Sequence, residues 1–145
     1  MKGLTEEDTA RTAIEALLEA AVEAFCKPGM PRGCMLVLSA INSTPANKSV
    51  QDYLRGLRAR RQKAVQQRLQ RGVAEGELPS RLDLSTLASF CTTVVDGLAI
   101  QARDGASRKA LRFAVRCAMA AWDTVVAGSG SIRSNRATST DVSKR

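Results

Sequence analysis

Four cysteines, Cys26, Cys34, Cys91 and Cys117, are the side chains best suited to covalent or metal chemistry, yet their spacing supplies neither. No two form a CxxC pair and the chain has no histidine, so the close Cys/His spacing of a zinc site is missing. Nucleophilic catalysis needs a base beside the nucleophile. Without histidine, a nucleophile elbow, a glycine-rich phosphate loop or paired carboxylates near a thiol, the chain is not expected to be an enzyme. Neither a metal nor a cofactor is expected. Each cysteine falls in an apolar helical pattern, where a thiol behaves as a small, inert hydrophobe.

The charged residues come next. Residues 1–24 carry two basic and six acidic groups, residues 48–71 eight basic and one acidic, and residues 128–145 four basic and one acidic. A net charge of +8 and a pI near 9.9 would suit a nucleic-acid partner. However, Arg58, Arg60, Arg61, Lys63, Arg68 and Arg71 scatter around their helix with no interleaved aromatics to stack bases. They read as a solvated helix with one or two arginines turned inward. Polar groups inside apolar segments (Ser39, Asn42, Thr92, Thr93, Asp96) could line a small-molecule pocket. For any one of them the simpler role is local: Ser and Thr bonding their own helix carbonyls, and Asp96 pairing with an arginine.

The elements that must position these groups are helices. The chain has 145 residues, the size of one domain, and aromatics make up only 3% of it. The core must therefore come from Leu, Val, Ala, Ile and Met, with Ala and Leu favouring helix. After a lead-in over 1–9, Thr9 or Asp8 caps an amphipathic helix from Ala10 to Cys26, with Arg11, Glu15, Glu19 and Glu23 opposite its apolar side. Two prolines and two glycines between Lys27 and Gly33 end it. Cys34–Ile41 is apolar nearly all round and is expected to be a short buried helix. Asn47 can cap the longest helix, Lys48–Val73, on which Val50, Tyr53 or Leu54, Leu57, Val65, Leu69 and Val73 fall at helical spacing; Gly72, Gly76 and Pro79 end it. Asp83 caps Leu84–Arg103, and Ser107 caps Arg108 to about Val126. Residues 127–145 read as a disordered basic tail. No apolar run approaches the length needed to span a bilayer, no signal peptide is apparent, and a reducing cytoplasm is the expected location.

The last two helices each carry two apolar stripes. Leu84–Arg103 has Leu84, Leu87, Cys91, Val94, Val95 and Leu98 on one side, and Phe90, Thr93, Gly97, Ile100 and Gln101 on another. Arg108–Val126 has Leu111, Val115, Ala118, Met119 and Trp122 against Ala110, Phe113, Ala114, Cys117 and Ala121. A surface helix needs only one such stripe, so the second is most simply covered by a copy of itself, two helices from each chain making a four-helix bundle. The interface expected on this basis comprises Phe90, Thr93, Gly97, Ile100, Gln101, Leu111, Ala114, Val115, Ala118 and Trp122. Which stripe faces the partner stays open.

The block Pro31-Arg32-Gly33-Cys34, the turn from Gly72 through Gly76-Glu77-Leu78-Pro79, and Gly97–Ala106 together resemble the C-terminal regulatory domain of TetR/AcrR-type transcriptional repressors, across about residues 10–126. The resemblance implies an all-α domain of five helices in a homodimer, whose last two helices form the intersubunit bundle. It also implies an effector cavity enclosed by the first four helices. Operator DNA would be bound only through an N-terminal helix-turn-helix, for which nine residues ahead of the first helix leave no room. The resemblance names no ligand contact. Geometry gives Cys34, Leu38, Asn42, Leu57, Arg61, Phe90 and Val94 as the cavity candidates for an unidentified small molecule. Two other readings compete: a helical dimer module without a ligand, and a basic nucleic-acid binder acting through residues 55–71 and the tail.

Overall fold

In a computed structural model, residues 9–39 and 47–129 are described. Five helices and no strand occur among them: α1 Ala10–Phe25, α2 Met35–Leu38, α3 Lys48–Ala74, α4 Leu84–Arg103 and α5 Arg108–Gly128. The fold is all-α. Residues 1–8, 40–46 and 130–145 lie outside the described residues, and with them the end of the expected Cys34–Ile41 helix and most of the lead-in and tail; Ala127 and Gly128, expected in the tail, continue α5.

Capping chemistry sets most of the boundaries. Thr9 and Thr12 exchange hydrogen bonds in a capping box at the start of α1. Asp83 accepts from the Thr86 N–H, and Ser107 from the Ala110 N–H, at the starts of α4 and α5. Asn47 makes no side-chain cap, so that expectation fails. Gly72 does not end α3 either. It lies inside the helix, where an added Cβ would approach the Ala10 Cβ to 3.0 Å. The chain leaves α3 at Gly76, with φ +79.

α4 is the central helix and touches all four others. Its buried side chains Leu87, Cys91, Val95 and Leu98 meet Ile14, Leu18 and Val22 of α1, Val65 and Leu69 of α3, and Leu111, Val115 and Trp122 of α5 in one core. Contrary to the sequence reading, α4 is by length and composition long and apolar enough to cross a membrane, at a mean hydropathy of 1.2. It packs into the core through Leu87, Cys91, Val95 and Leu98, and a second stripe of it lies at the surface.

Packing also departs from expectation in the second and third helices. Only Val37 of α2 is buried, while Met35 is 82% exposed. The first turns of α3 carry Val50 and Tyr53 outward. Beside Val65 and Leu69 in the core, α3 is fastened by its arginines: Arg58 donates to the Leu36 carbonyl at 2.9 Å, Arg61 pairs with Asp96, and Arg68 with Glu77. More of the basic helix is turned inward than its charge pattern suggests.

Candidate ligand cavity and subunit face

The Pro31-Arg32-Gly33-Cys34 block is a backbone junction. Gly33 has φ +90, and a Cβ there would stand 2.9 Å from the Ala99 carbonyl oxygen. Only glycine lets the chain adopt that conformation so close to α4. The Gly33 N–H donates to Phe25 O at 3.2 Å. Arg32 reaches the Ala106 carbonyl at 2.6 Å and Cys26 Sγ at 3.5 Å. These bonds tie the α1–α2 connection to the α4–α5 turn. Cys34 opens α2, and its side chain is partly buried.

Of the expected cavity residues, Cys34 and Leu38 flank or lie on α2 and Leu57 and Arg61 lie on α3, two helices that touch each other and α4; all four are partly buried. Arg61 makes an ion pair with Asp96 of α4, its guanidinium largely buried. Gln51 donates to Ser39 O at 2.9 Å, and Ser39 Oγ to Leu36 O at 3.3 Å, so this junction is knit by side chain–backbone bonds. Val94 and Phe90 do not join the group. At 100° per residue Val94 lies about 160° around α4 from Asp96, and Asp96 marks the side facing α3. Phe90 turns outward, 38% exposed. Asn42 lies outside the described residues. Thr92 is buried but bonds the Ala88 and Ser89 carbonyls of its own helix at 3.1 and 3.0 Å. Three of the clefts among the described residues have volumes of about 460, 480 and 310 Å³. Of the cavity candidates only Phe90 lines one of them, the smallest.

The subunit face is built differently from the expected one. Leu111, Val115, Ala118 and Trp122 are buried within the single chain, in the core shared with α1 and α4. Ile100 is partly buried against the same core. The reason is rotational. Arg112 pairs with Glu19 and Glu23 of α1 at 3.3 and 2.8 Å, and Arg108 with Glu23 at 3.6 Å, while Arg11 grips Asp123 at 2.8 Å. Those pairs mark the Arg-bearing flank of α5 as lying over the acidic ridge of α1, with the Leu111–Trp122 stripe inward. The other stripe then faces out: Ala110, Phe113, Ala114, Cys117 and Ala121 are exposed, beside exposed Phe90, Thr93, Gly97 and Gln101 of α4. Phe113 is 59% and Val125 50% exposed.

Glu77 was not singled out in the sequence. It accepts a hydrogen bond from the Ala10 N–H at the start of α1 and pairs with Arg68 of α3, which is almost wholly buried. Burial alone would push its carboxyl upward, but the Ala10 bond and the Arg68 guanidinium outweigh it and hold it below its ordinary value. No local spacing links residues so distant in the chain. All four cysteines are free thiols, and burial pushes Cys91 up to about 12.

Against this geometry, comparison with known proteins is decisive. A family model described as "Tetracyclin repressor-like, C-terminal domain" matches residues 10–119. The chain belongs to the TetR family. Its relatives include the HTH-type transcriptional repressor ComR of Escherichia coli (strain K12), 26% identical over 121 residues, a match covering 83% of this chain and 58% of ComR. Among solved structures it is similar to the TetR family regulator CifR, a cysteine variant complexed with 26-bp operator DNA. That match has 36% identity and a TM-score of 0.80, and covers 83% of this chain and 63% of CifR. A putative TetR transcriptional regulator from Rhodococcus sp. RHA1 matches at 30% identity and a TM-score of 0.71, again over 83% of this chain and 63% of the other. The chain thus spans about three fifths of the length of these relatives.

Proposed function

We propose that this TetR-family domain is the effector-sensing, homodimerising part of a cytoplasmic transcriptional repressor and is not catalytic. The observation that carries the reading is the outward apolar face of α4 and α5. It exposes Phe90, Phe113 and Val125 around small or uncharged residues, on the two helices that close the core. Contiguous apolar surface of this kind marks an interaction site, and a self-complementary face closes in a two-fold dimer. Operator binding belongs to a helix-turn-helix, and none occurs among the described helices. The effector site is the α2–α3–α4 junction, where Cys34, Leu38 and Leu57 supply apolar lining beside the Arg61–Asp96 pair, a setting that suits an aromatic molecule with a polar group able to bond that pair. An effector acts by preferring one spacing of the two subunits, so its influence on DNA is limited to its differential affinity for the two states.

Two measurements test this. Sedimentation equilibrium should show a dimer, and a stable monomer at high protein concentration would overturn the subunit assignment. A thermal-shift screen of metabolites and antibiotics should find a compound that raises Tm, with the rise lost in Arg61→Ala. If no compound in a broad screen does so, the domain is an interaction module without a ligand.

A further inference from the structure

The outward face has a knob at one end and a hole at the other. The knob is Phe113, on the second turn of α5, with the Arg116 guanidinium 5.3 Å from its ring centre. The hole is an apolar cleft of about 310 Å³ between the start of α4 and the end of α5, lined by Leu87, Phe90, Ala121, Trp122 and Val125. An apolar cavity of about 150 Å³ is enough to hold benzene, so a phenyl ring fits with space for part of an arginine stem. Asp83 stands at the edge of the cleft, and its carboxylate, bonded to the Thr86 N–H and hydroxyl, has acceptor capacity to spare.

Knob and hole are related by a specific centre. Phe113 precedes Cys117 by four residues and Ala121 follows it by four, about 6 Å along the helix in either direction. Cys117 is exposed at the middle of the stripe. A two-fold axis lying in the plane of the face and crossing α5 at this level turns one copy over onto the other and exchanges the two ends, laying α5 on the partner's α5. Gly97, where an added Cβ would meet nothing within 4 Å, leaves room for close approach.

Resting on the dimer reading above, we propose that the two-fold axis passes beside Cys117, so that each subunit inserts Phe113 into the cleft of the other. The partner's Arg116 follows the ring to Asp83. The occupant is a second copy because knob, hole and charge pair are all present on one chain and are interchanged by one rotation. A foreign partner would leave that complementarity unused.

The test uses the intact chain. Diamide, which takes two hydrogens from a pair of thiols as they form a disulfide, should yield a covalent dimer on a non-reducing gel. A short bismaleimide should do the same where the sulfurs are too far apart for a disulfide. The dimer should persist in Cys26→Ser and Cys34→Ser and disappear in Cys117→Ser. Phe113→Asp should raise the dimer dissociation constant at least about 100-fold with unchanged helical circular dichroism, because Phe113 is exposed within the subunit; Phe113→Leu should retain most of the affinity. A dimer by sedimentation that neither crosslinks through Cys117 nor responds to Phe113→Asp places the axis elsewhere: it refutes the register and leaves the dimer standing. A monomer at every concentration refutes both.

Discussion

Removing the charge of Glu77 should destabilise the domain far more than its partly exposed position suggests. Arg68 is almost wholly buried and Glu77 is its counter-ion, 3.4 Å from either carboxylate oxygen. The Nε and Nη1 of Arg68 have no hydrogen-bond partner among the described residues. At an effective dielectric of about 20, a unit pair at this separation attracts by about 5 kcal/mol. Breaking a buried pair from one side typically costs about 3–5 kcal/mol, since the remaining charge stays buried. The long contacts place Glu77→Gln near the lower end, about 3 kcal/mol. The glutamine oxygen can still accept from the Ala10 N–H, so this variant isolates the charge; Glu77→Ala also loses the cap and should fall by about 1 kcal/mol more. In a domain stable by about 5–15 kcal/mol, that is a large fraction. Urea denaturation at fixed protein concentration measures it. The pH dependence supplies a second readout. The folded-state carboxyl is held below its ordinary 4.5, so its contribution is complete above that pH and is lost as pH falls through the folded value. Wild type and Glu77→Gln should therefore converge in acid. Arg68→Met combined with Glu77→Gln should recover most of the loss, because no charge is then left buried. A neutral-pH difference under about 1 kcal/mol, or one that persists unchanged in acid, would refute the assignment.

Three further outcomes follow from the same geometry. Gly33→Ala should cost about 2–3 kcal/mol and lower Tm, because it combines φ +90 with a Cβ 2.9 Å from Ala99 O; an unchanged Tm would show that the junction yields freely. Thr92→Val should stay within about 1 kcal/mol of wild type in urea and leave effector binding unaltered, since its hydroxyl only returns to its own helix carbonyls. Cys91, pushed up to about 12 by burial, should resist iodoacetamide at mildly alkaline pH until denaturant is added, as read by peptide mass spectrometry; rapid native labelling would show that the α4 core opens.

Apolar periodicity carried the helices, and capping residues carried most of their starts, because both signals are local. Thr9, Asp83 and Ser107 act within three residues of themselves. The Asn47 cap failed because the preference of Asn for a cap is satisfied only if its side chain reaches the first turn, which depends on where the preceding chain lies. Rotation of a helix about its own axis is a different kind of information. α5 has two apolar stripes, and helical periodicity alone does not say which one faces the core. The deciding signal was charge spacing on separate helices: Glu15, Glu19 and Glu23 recur every four residues on α1, and Arg108 and Arg112 do so on α5. In the observed setting Arg112 faces Glu19 and Glu23, and Leu111, Val115 and Trp122 point inward. Each exposed pair contributes little energy alone. Burying the wrong stripe would trade Leu, Val and Trp for Ala and Cys in the core, at about 25 cal/mol for each Å² of apolar surface left in water. The ion pairs thus report the rotation, while apolar burial enforces it. The same rotation leaves Phe113 and Cys117 for a second subunit.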